Sequence, residues 1–143
     1  MKLAALMLFA LASLNAADLA AVRAEPDPEK RSEKALQAAD TAFQSARKAA
    51  KDGETATEAA GLAGVREAVE LAMKSLDESG KDARRSPKYF KKAEIALRKL
   101  TRDLDDFRFA KGADERKPAD ELLLVVHEAH DKVLLGIMTK KKK

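Results

Sequence analysis

Four stretches of this chain repeat apolar residues at alternating steps of three and four, and glycine or proline stands at their ends. The first, PEKRSEKALQAADTAFQSARKAAKD, carries Leu36, Ala39, Phe43, Ala46 and Ala50 between Asp27-Pro28 and Gly53. The second, ending at Gly80, carries Leu62, Val65, Val69, Ala72 and Leu76. Between Ser86-Pro87 and Gly112 the third carries Phe90, Ala93, Leu97, Leu100, Leu104 and Phe107. The fourth opens at Pro118 and has a less regular seam of Leu122 or Leu123, then Val126, His130, Val133 and Ile137. This spacing places each apolar set on one stripe of a helix, and period-two runs that would suggest strands are missing.

The punctuation has a physical basis. Asp27 and Ser86, each followed by proline, predict helix N-termini, because the prolyl nitrogen takes a position whose hydrogen bond is absent anyway. Thr55 and Glu58 are spaced as a capping box for the second helix. Gly53 and Gly80 predict C-terminal stops. The helices expected are therefore about 28–52, 56–79, 87–111 and 118–139, each on the order of 36 Å long. Matched lengths and short connections at 53–55, 80–86 and 112–117 favour antiparallel neighbours. The expected fold is all-α: an antiparallel up-down-up-down four-helix bundle over 28–139, preceded by a cleaved signal peptide. A helical hairpin pair completed only by dimerisation is the alternative. Helices 1 and 2 are rich in alanine, which allows close approach of their axes, whereas helices 3 and 4 supply most of the leucine and phenylalanine.

The N-terminus, MKLAALMLFALASLNAADLAA, combines Lys2, an apolar run from Leu3 to Leu14 and small residues after it. That pattern reads as a signal peptide over residues 1–16, cleaved after Ala16 or Ala17, and the run is too short for a permanent membrane anchor. Residues 17–27 are then expected to form a polar arm. A mature chain with no transmembrane segment follows, exported to a periplasm or secreted. Cysteine is absent, so no disulfide is available to it in an oxidising compartment.

Of the 28 basic residues, Lys2 leaves with the leader and Lys140, Lys141, Lys142 and Lys143 form a terminal tail, so the body holds 23 against 24 acids. A body of charge −1, destined for export, argues against a nucleic-acid partner. Within it the charges are unevenly distributed. Residues 81 to 102 hold nine cations against Asp82 and Glu94. Arg84, Arg85, Lys88, Lys91, Lys92, Arg98, Lys99 and Arg102 belong to this set, and an antiparallel bundle brings the lysine tail to the same end. The first turns of helix 3 carry their cations where a helix macrodipole disfavours them. Together with Lys140 to Lys143 these residues form a candidate surface for an acidic protein or an anionic envelope component. The acids expected to temper it are those of the arm, Asp18, Glu25, Asp27 and Glu29. Ile95 points outward amid the cations of helix 3, and Leu124 and Leu135 fall on the polar side of helix 4 with Glu128 and Asp131. Those leucines suggest a partner chain, or cover by the N-terminal arm.

His127 and His130, the only histidines, are spaced to share one face of helix 4 and are the candidate metal ligands. A small periplasmic metal-binding protein is the alternative function. Their spacing is one residue short of H-E-x-x-H, and the Glu-x-x-His units of di-iron bundles are absent. No cofactor is expected: the first helix has no methionine to pair with a helix-4 histidine across haem, and C-x-x-C-H is impossible without cysteine. No nucleophile elbow, glycine-rich phosphate loop or convergent carboxylate pair suggests an enzyme. The carboxylates of Asp103, Asp105 and Asp106 fan around one helix, with Asp103 and Asp106 four residues after Lys99 and Arg102. The chain therefore reads as a non-enzymatic protein, monomer or homodimer, that works through protein or envelope contacts.

Overall fold

The computed structural model describes residues 19–139, and the proposed leader (1–16) and the lysine tail (140–143) lie outside the described residues. It is all-helical among those residues, with four long helices, α1 (Pro28–Lys51), α2 (Thr55–Glu78), α3 (Pro87–Phe109) and α4 (Lys117–Met138), and a short 3-10 turn over Ala113–Glu115. The Asp27 side chain accepts from the backbone N–H of Glu29 at 2.9 Å and of Lys30 at 3.4 Å, which caps α1 as its sequence implies. Gly53 and Gly80 take positive φ, 72° and 65°, at the ends of α1 and α2. The capping box expected of Thr55 and Glu58 does not form. Glu54 occupies the cap without a side-chain hydrogen bond, and Glu58 instead pairs with Lys111 beyond the end of α3.

The apolar stripes meet in one core. Phe43, Val65, Val69, Leu97, Leu104 and Val126 are its largest fully buried apolar side chains, and Phe43 meets Phe107 edge-on, 5.7 Å between centroids. Both Leu122 and Leu123 are buried, and Ala129 joins Val126 and Val133, so the α4 stripe is wider than a strict seam. His130 and Ile137 lie at its edge, half-buried.

The most extensive interface is α1 against α2. A side chain at Gly61 would come within 2.8 Å of the Ala46 Cβ and 3.0 Å of the Ala42 carbonyl oxygen. The alanines of α1 and the missing side chain at Gly61 are thus the two halves of one close helix crossing.

Hairpin α1–α2 packs on hairpin α3–α4 with α1 beside α3 and α2 beside α4, leaving α2 and α3 diagonal. Lys92 reaches Glu33 at 2.8 Å and Lys99 reaches Asp40 at 3.2 Å, both 59 residues back. A constant offset means that α1 and α3 run parallel. Within the hairpins direction reverses: Arg31 contacts Ser75 near one end of α1–α2, and His130 faces Glu94 while Asp120 faces Arg108 in α3–α4. Two of the four lateral interfaces are therefore parallel, where antiparallel neighbours were expected all round.

The segment before α1 also departs from a polar arm. Residues 19–23 are helical, with Leu19 and Val22 buried in the core cluster. They border a cleft shared with Ala38 and Ala42 of α1 and Gly64 of α2. The apolar residues of this segment are one helical turn apart, which lets a single turn seal the α1–α2 seam.

Candidate functional site

The residues singled out around the start of α3 are brought together at one end of the bundle. After Gly80 the chain turns through 81–86, held by the Lys81 N–H on the Ser79 hydroxyl at 3.3 Å, the Arg84 N–H on the Asp82 carboxylate at 2.8 Å and the Ser86 N–H on the Asp82 carbonyl at 2.9 Å. Ala83 is buried in this turn. A side chain built on Gly136 of α4 would meet its Cβ at 3.5 Å. Asp82 and Thr139 line the same cleft, so the last described residue before the lysine tail sits beside the linker.

The cations fall into three groups. Lys81, Lys92 and Lys99 are tied to α1 or its entry: Lys81 pairs with Glu29, Lys92 with Glu33, and Lys99 with both Asp40 and Asp103. A hydrogen bond to the partner carboxylate holds each ammonium above its ordinary value, from Glu29 for Lys81, Glu33 for Lys92 and Asp103 then Asp40 for Lys99. Among the described residues, the ion pairs of Arg98 and Arg102 lie along their own helix, to Glu94 at 3.6 Å and Asp103 at 4.0 Å. Arg84, Arg85, Lys88 and Lys91 are exposed, and their side chains make no ion pair among the described residues. Lys88 lies 5.3 Å from the centre of the Tyr89 ring, as does Lys92.

The parallel packing of α1 and α3 brings neutralising acids from a source that sequence reading missed. Of the arm acids named as neighbours, Asp18 lies outside the described residues, Glu25 binds Lys34, Asp27 caps α1 and Glu29 reaches the cluster. Glu33 and Asp40, one turn or more into α1, reach it as well, beside Glu94 and Asp103 of α3 itself. The helical repeat of Glu33 and Asp40, seven residues apart and matching Lys92 and Lys99, is the signal that the sequence contains. The two ion pairs span the rim of a groove of about 540 Å³ between α1 and α3, floored by Leu36, Ala93, Ala96 and Leu100.

At the N-terminus of α3, Ser86 makes no side-chain cap and the first turn contains no acid. The free N–H groups and the partial positive charge of that terminus therefore add to Arg84, Arg85, Lys88 and Lys91. What this end can do chemically is accept anions, by charge and by hydrogen bond.

The histidines are separated by their surroundings. His130 is half-buried with Nε2 3.2 Å from the Glu94 carboxylate, which also contacts Arg98. His127 is exposed, one turn away on the outer face. Among the described residues no group of three or more His, Asp or Glu side chains converges as a metal site would require. No described helix is long and apolar enough to cross a membrane.

No family model matches the chain, and neither the curated proteins nor the solved structures searched contain a significant match to it.

Proposed function

We propose that this protein is an exported helical bundle that acts by contact, without catalysis, engaging an anionic envelope surface or acidic protein through its basic end. The observation that carries this reading is the group Arg84, Arg85, Lys88 and Lys91, exposed around the uncapped start of α3 and without ion pairs among the described residues. Cations held in intramolecular pairs gain little from a new anion, whereas these four keep their full charge for one. Export is supported by the Lys2 and Leu3–Leu14 pattern of the leader. A contact function is further supported by a sequence without cysteine and without a convergent set of acid, base and nucleophile.

The test is co-sedimentation of the purified protein with vesicles of anionic and of neutral lipid, at low and physiological salt. Binding to the anionic vesicles alone is expected, weakening as salt rises. Arg84→Glu with Arg85→Glu, or removal of Lys140 to Lys143, should reduce it several-fold. Binding that ignores these changes would remove the basic end from the mechanism, and no binding to either vesicle would redirect the reading to an acidic protein.

A further inference from the structure

α1 meets α3 far less extensively than it meets α2, and the space left between α1 and α3 is the groove of about 540 Å³. Small side chains create it. Ala93 and Ala96 stand on α3 where larger residues would close the gap, and with Leu36 and Leu100 they give an apolar floor. Ile95, 55% exposed, lies at its edge. The volume falls within the range of about 300–1,000 Å³ typical of small-molecule sites. From Tyr89 to Leu100, α3 rises about 16 Å, the span of an extended alkyl chain of roughly a dozen carbons.

One buried polar group is left over in this groove. Ser32 is 1% exposed, and its hydroxyl has no hydrogen-bond partner among the described residues. A buried hydroxyl without a partner is rare in folded proteins and marks a place where a further molecule completes the hydrogen bonding. The offset that pairs Glu33 with Lys92 puts Ser32 at the level of Lys91, near the Tyr89 end. Tyr89 also lines a second depression with Lys88 and Lys91, next to Ser86 and Pro87 at the uncapped start of α3. Neither of these lysines makes an ion pair among the described residues, while Glu29 in the same depression is held by Lys81. The pairs Lys92–Glu33 and Lys99–Asp40 cross the rim partly exposed and balance their own charges. The groove is therefore apolar along its floor, with unpaired cations beyond one end.

We propose that this groove binds one fatty carboxylate, its alkyl chain on the apolar floor and its carboxylate at the Tyr89 end, accepting from the Ser32 hydroxyl and facing Lys88 and Lys91. Such a ligand is the anionic envelope component of the basic-end reading, on which this assignment rests, narrowed to a single-chain amphiphile. An apolar peptide is a poorer occupant, because the helix walls offer no free backbone edge to its N–H and C=O groups, whereas an alkyl chain has none to satisfy. A neutral head would leave Lys88 and Lys91 unpaired, and a cationic one would be repelled by them. The two rim pairs do not bar entry. Partly exposed pairs contribute little to stability, so they part for the chain and close over it.

Isothermal titration calorimetry of the purified protein with dodecanoate, below its micelle-forming concentration, tests the proposal. Saturable binding of one molecule per chain is expected, with dodecanol and dodecyltrimethylammonium several-fold weaker. Ser32→Ala should weaken dodecanoate binding about tenfold, the loss of one hydrogen bond to a charged group, while leaving Tm unchanged or raised because the hydroxyl has no partner to lose. Ala96→Phe fills the floor and should abolish binding. Circular dichroism checks that this variant folds, and Ile95→Asn, at an exposed position, supplies a second route and should weaken binding several-fold. Lys88→Glu with Lys91→Glu should weaken dodecanoate and spare dodecanol. No saturable binding, equal affinity for dodecanol, or indifference to Ser32→Ala or to both groove variants would overturn the assignment. Anionic vesicles keep the two readings apart, because Ala96→Phe protein should still sediment with them. Vesicle binding without dodecanoate binding overturns the groove alone, and absence of both overturns this assignment and takes lipid out of the basic-end reading.

Discussion

The Arg31 guanidinium donates through Nε to the Ser75 hydroxyl at 2.9 Å, joining the start of α1 to the end of α2 at a side chain with no solvent exposure. Its Nη1 donates to the Glu25 carbonyl at 3.0 Å, and its Nη2 pairs with Glu78. One largely buried cation thus ties together the segment before α1, α1 itself and α2, satisfying groups that would otherwise be desolvated without partners.

Replacing Arg31 with methionine keeps most of the packing volume but strands the Glu25 carbonyl and the Ser75 hydroxyl. A loss of about 1.5–3 kcal/mol is expected, the range for buried hydrogen bonds to a charged group. Ser75→Ala removes only one acceptor and should cost less, about 1 kcal/mol. Urea unfolding of the two variants checks the order, and equal losses would count against Arg31 as the junction.

Two glycine substitutions should have opposite signs. Alanine is intrinsically better than glycine in a helix interior by about 1 kcal/mol. At Gly61 that gain is outweighed, because the new Cβ meets the Ala46 Cβ at 2.8 Å and the Ala42 carbonyl oxygen at 3.0 Å. Overpacking of this kind typically costs 1–3 kcal/mol, so Gly61→Ala is expected to lower Tm. Gly136→Ala meets Ala83 at an ordinary 3.5 Å and should raise stability by up to about 1 kcal/mol. Thermal melts of both variants decide the matter.

Stability should form a plateau against pH with losses at both ends. The Glu25 carboxyl is held below its ordinary 4.5 by its hydrogen bond from Lys34. A depressed carboxyl stabilises the fold above its unfolded value and loses that contribution as pH falls through the folded value. Lys81, Lys92 and Lys99 are held above their ordinary 10.5. Their contribution is fully present below 10.5 and disappears as pH rises through the raised folded values. Melts across the pH range should be flat between these limits, and Lys99→Met should reduce the alkaline loss. A plateau edge well inside either limit would show that other groups govern it.

Much of the local architecture was legible in the residues. Asp27-Pro28, Gly53 and Gly80 marked ends that the structure keeps, because a proline nitrogen and a left-handed glycine are constraints internal to the backbone. The apolar stripes of α1 to α3 were equally legible, since burial follows the helical repeat. The capping box was not, because the Glu58 carboxylate has a choice between its own N-terminus and Lys111, and only the approach of α3 reveals the second option. Likewise the cations of residues 81 to 102 were visible as a set, but their division into paired and unpaired members was not.

By itself the sequence determined that the chain is helical, where the long helices begin and end, and which stripe of each is buried. Those properties depend on neighbours within a turn or two. The tertiary structure alone decided that α1 runs alongside α3 in the same direction, which gives Glu33 and Asp40 to Lys92 and Lys99 and leaves Arg84, Arg85, Lys88 and Lys91 exposed without ion pairs among the described residues. A hydrophobic stripe carries no direction and packs against a parallel or an antiparallel partner with similar gain, so the arrangement of hairpins is set by how the four stripes close together.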